Sequence, residues 1–134
     1  MDSELQQLIS LCIKQDRKAE SALYRYCFTK LMPICHKYYK SKDDSVAQLN
    51  KTYLKILNNL SKFDETKSFD AWIKTIAVNT IIDEFRVNNK RNALFIDKDY
   101  EELRTDLEKH FKEDKRVNKV YICGAGTIMI DCRK

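Results

Sequence analysis

The sequence predicts an all-α protein that folds as one compact helical bundle. Its 134 residues include only two glycines and one proline, and so few turn-forming residues argue against an all-β fold of many short strands. Apolar residues make up 43% of the chain, an ordinary fraction for a folded domain. Over most of the first 90 residues they recur at intervals of three and four, the spacing of one helix face.

Two helices are predicted in the first forty residues. Ser3 and Gln6 form a capping-box pattern ahead of a short apolar repeat, which predicts a first helix ending near residues 15–16. A second helix is predicted over residues 18–40, where apolar residues nearly surround the middle of the segment, so this helix should be central and buried. Pro33 lies inside it and predicts a kink or a break, because proline removes a helical hydrogen bond.

Two further helices follow, separated by a loop. Ser45 and Gln48 form a second capping-box pattern, and the apolar residues after them hold one face for about five turns. The polar, aperiodic segment 61–68 predicts a loop. Ser68 is placed to cap a fourth helix over residues 69–90.

The fourth predicted helix has two faces of different chemistry. At about 100° per residue, the core face holds Ile73, Ala77, Ile81 and Phe85. The opposite face holds Trp72, Thr75, Asn79, Asp83, Arg86 and Lys90. A tryptophan is unusual on a solvated face, so this face is a candidate ligand surface. The alternative is that Trp72 packs under the preceding loop as a partial core residue.

Aromatic and basic side chains concentrate around the start and end of this helix. They are Lys62, Phe63, Lys67, Phe69, Trp72, Lys74, Arg86, Lys90 and Arg91. Aromatic rings stack on unpaired bases for about 1–3 kcal/mol each, while basic groups hold the backbone. Paired bases expose only their edges, so the pattern favours a single strand or extruded bases. The distribution of charge also favours a nucleic acid partner for this part of the chain. Residues 1–92 hold 16 Lys and Arg against 11 Asp and Glu, whereas residues 93–134 hold 9 of each.

Catalytic, metal and cofactor sites are not predicted. The two histidines are isolated, and the carboxylate pairs are sequence neighbours that diverge on a helix, so we do not expect an enzyme. The Gly124–Gly126 segment is not followed by a helix that would present its N-terminus to a pyrophosphate, which excludes a dinucleotide cofactor. Five cysteines without CxxC spacing indicate reduced thiols in the cytoplasm and no metal. Apolar runs stay well below the ~20 residues of a membrane span.

The segment FDAWIKTIAVNTIIDEFRVNNKR, residues 69–91, closely resembles region 2.3–2.4 of the extracytoplasmic-function class of bacterial sigma factors. The anchors of that family are F-x-x-W-[LI], I-A-x-N and D-x-x-R with a basic end. All of them occur here, as Phe69, Trp72-Ile73, Ile76 to Asn79, Asp83 and Arg86. The resemblance extends over about residues 5–92. It implies a bundle of the sigma region 2 type over residues 1–92 and a linker-like, flexible C-terminal extension over 93–134, without the family's second DNA-binding domain, region 4.

The resemblance also implies partners and site residues. The melted non-template strand of the promoter −10 element would be held by Lys62, Phe63, Asp64, Lys67, Ser68, Phe69, Trp72, Thr75, Asn79, Asp83, Arg86, Lys90 and Arg91. The clamp helices of the largest subunit of core RNA polymerase would bind the third helix at Ala47, Asn50, Lys51 and Leu54. The implied function is to bind the polymerase and to recognise and melt the −10 element in transcription initiation.

Two departures from the family leave other interpretations open. The D-x-x-Q-E pattern of the docking helix is replaced by Ala47, Asn50 and Lys51, so two negative charges are missing and one positive charge is added. After a loosely attached helix near 97–114, the tail VYICGAGTIMIDCRK resembles no second helical domain, is β-like in composition and predicts a poorly ordered end. The protein is therefore alternatively a degenerate sigma-like interaction protein that binds an anti-sigma factor or polymerase without opening DNA. A third interpretation is a generic helical binder of nucleic acids.

Overall fold

The computed structural model of the protein describes residues 3–39, 41–88, 105–106, 109–111, 117–122 and 128–132. Four helices form the bundle: α1 (Ser3–Ile13), α2 (Arg17–Tyr38), α3 (Lys42–Asn59) and α4 (Phe69–Asn88). A 3-10 turn follows α3 (Leu60–Lys62), and a second one (Lys109–Phe111) precedes two antiparallel strands, β1 (Val117–Ile122) and β2 (Ile128–Cys132). The all-α prediction is confirmed for the bundle. None of the helices within the described ranges is long and apolar enough to cross a membrane.

The central helix is α2, as its apolar composition predicts. It packs against α1, α3 and α4, and Leu23, Cys27 and Leu31 along it are fully buried. The predicted break at Pro33 is wrong, because α2 continues through this residue without interruption. The proline side chain is exposed, so its ring faces solvent and does not disturb the packed side of the helix.

The start of α3 lies one turn earlier than the capping-box pattern predicts. The N-cap is Ser41, whose side chain accepts a hydrogen bond from the backbone N–H of Asp44 (3.0 Å). Ser45 and Gln48 are instead buried inside the bundle. The Gln48 amide accepts a hydrogen bond from the thiol of Cys35 (2.7 Å) and donates one to the Thr52 hydroxyl (3.0 Å), so it holds α3 against α2.

Helix α4 is buried on two sides. Ile73, Ala77 and Ile81 are completely buried, as the core stripe predicts. Val78 and Ile82 are also buried, although they lie about 100° further round the helix. Strand β2 lies against α4, so the bundle helices are not its only packing partners.

The segment before the strands is anchored on the bundle. Phe111 is 1% exposed and belongs to the core cluster. Asp106 is 7% exposed, accepts a hydrogen bond from the Tyr38 hydroxyl and pairs with Lys37 (3.0 Å). The predicted loose attachment of a helix near 97–114 is therefore wrong for 105–106 and 109–111, and its other residues lie outside those described.

The tail adds an element that the all-α prediction did not contain. Strands β1 and β2 pair antiparallel, with Ile122 opposite Ile128 and an irregularity in the register between Val117 and Lys119. The β-like composition of this segment did predict extended structure. An ordered pair of strands over 117–122 and 128–132 differs from the poorly ordered end that was expected there.

Candidate nucleic-acid interface

The loop between α3 and α4 is a preformed turn. The carbonyl of Asp64 accepts a hydrogen bond from the N–H of Lys67 (2.9 Å). Its carboxylate accepts two more, from the N–H (2.9 Å) and the hydroxyl (2.7 Å) of Thr66. These donors stabilise the ionised form and hold the pKa of Asp64 below its usual range. The turn thus presents a fixed negative group to solvent between Lys62 and Lys67.

An aromatic cluster supports this loop from below. The ring of Phe63 lies 5.1 Å from that of Phe69 and 5.0 Å from that of Trp72, and the rings of Phe69 and Trp72 are 5.7 Å apart. Phe63 is 8% exposed and Phe69 only 1%, whereas Trp72 is partly exposed. Trp72 therefore packs under the loop, as the second interpretation predicts, and it also keeps part of its surface exposed. Only Trp72 among these three rings has an accessible surface on which a base can stack.

The remaining loop residues divide into surface and structural groups. Lys62 is exposed and Lys67 is partly exposed. Ser68 is buried, and its hydroxyl accepts a hydrogen bond from the N–H of Ala71 (3.2 Å), which confirms the predicted cap of α4. Ser68 therefore positions the helix that carries the site.

The polar stripe of α4 lies on one face, as the helical periodicity predicts. Trp72, Thr75 and Asn79 are partly exposed and Asp83 is exposed. The hydroxyl of Thr75 donates a hydrogen bond to the carbonyl of Ala71 (2.8 Å), which leaves its methyl group and oxygen lone pairs on the surface. Arg86 is within α4, but its side chain, together with Lys90 and Arg91, lies outside the described residues.

Two acidic residues that sequence reasoning missed fix the position of α4. Asp70 accepts a hydrogen bond from the hydroxyl of Tyr26 and pairs with Lys30 (3.3 Å), both on α2. The sequence spacing does indicate that these two acids lie near the core, because Asp70 and Glu84 are each seven residues from Ala77. Seven residues amount to nearly two full turns, so both carboxylates fall within about 20° of the core stripe. A charged residue at such a position requires a partner.

Glu84 holds the other end of α4. Its carboxylate accepts a hydrogen bond from the hydroxyl of Tyr39 and pairs with Lys51 of α3 (3.1 Å). Burial and this hydrogen bond raise the pKa of Tyr39, so its proton stays in place. Lys55 of α3 donates a hydrogen bond to the hydroxyl of Thr80 (3.1 Å). Helix α4 is thus tied to α2 at one end and to α3 at the other.

The predicted docking residues share one exposed face of α3. Ala47, Asn50, Lys51 and Leu54 are all exposed, and Leu54, at 59%, is the most exposed large apolar residue of those described. The side-chain oxygen of Asn50 accepts a hydrogen bond from the hydroxyl of Tyr24 (2.6 Å). This face therefore presents one large apolar side chain among polar groups.

The described cysteines are structural thiols. Cys12, Cys27 and Cys35 are buried and free of disulfide bonds. Burial raises the pKa of the Cys12 thiol to about 11 and those of Cys27 and Cys35 to about 12, so all three are protonated near neutral pH. Among the residues that the structure describes, no three potential metal ligands lie together.

A family comparison agrees with this geometry. The protein is a helical module in which the fixed turn at Asp64 lies beside an aromatic and polar face of α4. The family model for sigma-70 region 2 matches residues 23–91, just over half of the 134-residue chain. The chain therefore belongs to the sigma-70 region 2 family. No curated protein and no solved structure matches it significantly.

Membership in this family indicates what the module does in broad terms. It supports a sigma-factor-like role in binding core RNA polymerase and recognising promoter DNA, in a family whose members are not enzymes. The match covers most of α2 and all of α3, the loop and α4. These are the elements that carry both the predicted docking face and the predicted strand-binding residues.

Proposed function

We propose that this protein is a sigma factor module of the extracytoplasmic-function class that binds the melted non-template strand of the promoter −10 element. The observation that carries the proposal is the partly exposed Trp72 beside the fixed turn at Asp64, on the same face as Asn79 and Asp83. An indole ring can stack on an unpaired base for about 1–3 kcal/mol. This gain offsets the few kcal/mol required to take each base out of the duplex.

The role of each residue in the proposed strand-binding surface follows from how far its side chain is buried. Trp72 stacks on a base, and the turn at Asp64 forms one wall for an extruded base. Thr75, Asn79 and Asp83 line the path of the strand, while Lys62, Lys67 and the basic residues Arg86, Lys90 and Arg91 neutralise phosphates. Phe63, Phe69 and Ser68 act from beneath, by holding the loop and the start of α4 in place.

Polymerase binding is assigned to α3. The exposed face at Ala47, Asn50, Lys51 and Leu54 would contact the clamp helices of the largest subunit. Leu54 is the most exposed large apolar residue of those described, so its burial on binding would remove apolar surface from water and favour the contact. Asn50 is already oriented by Tyr24, so its amide is presented in one conformation.

The test is a size-exclusion experiment with core polymerase, with and without a bubble that carries a −10-like non-template strand. We expect co-elution that strengthens with the bubble, and Trp72→Ala should weaken strand binding about 5- to 150-fold, the equivalent of 1–3 kcal/mol. Trp72→Phe is the matched control, because it keeps an aromatic face. Phe63→Ala is unsuitable, since loss of a buried ring costs about 3–5 kcal/mol of stability and would unfold the loop.

A second candidate function rests on the chemistry of the docking face. None of its four residues carries a carboxylate, and Lys51 is positive. On this alternative the protein binds an anti-sigma factor or polymerase without opening DNA. A stable complex that is unaffected by the bubble and by Trp72→Ala would support it and contradict the first proposal.

A further inference from the structure

A groove runs along the junction of α1, α2 and α3. Two clefts of about 370 and 540 Å³ adjoin each other there, and Arg17 and Glu20 line both. One cleft extends to Ser61 in the 3-10 turn, and the other extends to Arg25 on α2. No residue of α4 lines either cleft. We refer to the two clefts together as the α1–α3 groove.

The floor of the larger cleft is aromatic and rigid. The rings of Tyr24 and Tyr53 lie 5.0 Å apart, and Phe28 packs behind Tyr24 at 6.2 Å. Both hydroxyls are already engaged, since Tyr53 donates to the carbonyl of Glu20 (2.5 Å) and Tyr24 donates to Asn50 (2.6 Å). The rings are thus fixed before any partner arrives, so little side-chain entropy is lost on binding.

Ile13 (48% exposed) extends the apolar lining into the smaller cleft. The other exposed large apolar residues of the described part of the chain are Leu11 on α1 (44%) and Leu54 on α3 (59%), and neither of them lines a cleft.

Two arginines border the groove. Neither Arg17 nor Arg25 takes part in an ion pair within the part of the chain that the structure describes. Arginine and tyrosine are the residue types enriched at the energetic centres of protein interfaces. A guanidinium group binds a carboxylate with two parallel hydrogen bonds, so both arginines are suited to acidic side chains.

The turn between α1 and α2 is a C-terminal helix cap. The N–H of Gln15 donates to the carbonyl of Cys12 (2.9 Å) and the N–H of Asp16 donates to that of Leu11 (3.1 Å), a pattern that places the capping residue in the left-handed region. Gln15 accordingly has a backbone φ of 66°, a conformation that costs a residue with a side chain about 1–2 kcal/mol and that glycine adopts freely. Gln15 also lines the smaller cleft.

We propose that the α1–α3 groove binds an acidic amphipathic segment of a protein partner. Its apolar side chains would pack on Tyr24 and Tyr53, while its carboxylates would pair with Arg17 and Arg25. A protein segment fits better than a nucleic acid, because Glu20 also lines both clefts. A protein segment can place an uncharged side chain beside this glutamate, whereas a nucleic acid carries a phosphate at every nucleotide. The proposal is independent of the strand-binding function, since it uses no residue of α4.

Synthetic peptides on the full-length protein test this proposal. The probe is a fluorescein-labelled peptide of about 18 residues, or five helical turns, with leucines on one face and glutamates elsewhere. The comparison peptides replace every glutamate by lysine or scramble the leucine positions. We expect the acidic amphipathic peptide to bind, in fluorescence anisotropy, at least tenfold more tightly than either comparison peptide.

Two double variants with reversed charges test whether the acidic peptide binds in the groove. Arg17→Glu/Arg25→Glu should weaken the acidic peptide at least tenfold. Lys14→Glu/Lys18→Glu is the matched control, since it makes the same change in net charge at exposed residues that line neither cleft, and it should weaken binding less than threefold. All four substitutions are at exposed positions, and circular dichroism checks that each variant remains helical.

Three results would overturn the proposal. They are an absence of saturable binding by the acidic peptide, an equal effect of the two double variants, and tighter binding of a single-stranded oligonucleotide than of the peptide in a manner that depends on Arg17 and Arg25. Because Trp72 is not in the groove, strand binding is measured separately on the same variants. Failure of the groove proposal and failure of the strand-binding function are therefore distinguishable.

Discussion

The ion pair between Lys51 and Glu84 gives the sharpest test of how this sigma-like domain departs from its family. Lys51 stands where the resemblance leads us to expect an acidic residue, and its ammonium lies 3.1 Å from the carboxylate of Glu84 on α4. Lys51→Glu would restore the family charge on the docking helix. The same substitution would bring two carboxylates together at the surface between α3 and α4.

The effect of Lys51→Glu on stability follows from how exposed the side chains of Lys51 and Glu84 are. The Lys51 side chain is 65% exposed and that of Glu84 is 17% exposed, so the pair is largely solvent-screened and contributes about 0.2–1 kcal/mol. Reversal also adds repulsion between like charges, which in a partly screened setting is about 1 kcal/mol. We expect Lys51→Glu to lower the free energy of unfolding by roughly 1–2 kcal/mol, measured by urea unfolding at low ionic strength.

The effect on polymerase binding should have the opposite sign. If the polymerase surface that meets α3 is basic, as the family resemblance implies, Lys51 opposes it and a glutamate would attract it. A change of about 1–2 kcal/mol corresponds to roughly 5- to 30-fold tighter binding. Affinity for core polymerase, measured by fluorescence anisotropy of the labelled protein, should therefore rise while stability falls.

A double variant separates the two effects. Lys51→Glu/Glu84→Gln removes the internal repulsion but keeps an acceptor for the hydroxyl of Tyr39, so it should recover stability and retain the tighter binding. If Lys51→Glu leaves the free energy of unfolding unchanged, the ion pair does not form in solution. If it weakens polymerase binding in a folded protein, the docking partner is not basic and the reasoning from the family charge pattern fails.

Three further predictions concern stability. Phe111→Ala should lower the global free energy of unfolding by about 3–5 kcal/mol, because the ring is fully buried; a loss below about 1 kcal/mol in chemical denaturation would mean that this segment is only loosely attached. Gln15→Gly should raise the melting temperature by relieving a left-handed backbone, with a gain of about 0.5–1 kcal/mol, and a decrease would show that the glutamine side chain contributes more than the strain costs. Burial and the charge of Lys37 hold the pKa of His110 below its usual range, so the unfolded chain binds a proton more readily and stability should fall as the pH drops from about 7 to about 5. Urea unfolding of His110→Gln should show a shallower pH dependence, and an unchanged slope would contradict this assignment.

Local patterns in the sequence were sufficient to predict the elements that carry the candidate site. The start of α4, its cap at Ser68 and its core stripe were all predictable, because a cap and a helical repeat depend on neighbours within a few residues. The same patterns predicted that Trp72 lies on the opposite face from Ile73. The start of α3 was predicted at the wrong serine, because the Ser45–Gln48 spacing matches a capping box although both side chains are buried in the bundle.

What could not be predicted depends on contacts between distant parts of the chain. Val78 and Ile82 are buried although they lie off the core stripe, and β2, which packs against α4, begins about forty residues later in the sequence. Phe63 belongs to a polar, aperiodic loop, yet it is buried because Phe69 and Trp72 follow within reach of its ring. The expectation that Phe63 contacts DNA rests on the aromatic and basic composition of the loop and on the family resemblance, and neither of these indicates whether the ring is buried.

The position of α4 joins the two proposed surfaces of the protein. One end of this helix is held to α2 through Asp70, and the other is held to α3 through Glu84 and Thr80. The residues that contact it from α3, Lys51 and Lys55, lie on or beside the proposed docking face. A partner that displaces α3 on binding would therefore move the end of α4 that leads toward Arg86, and with it the path of the bound strand. If both proposals hold, the charge at position 51 should affect docking and strand placement together, and substitutions there should be judged by both measurements.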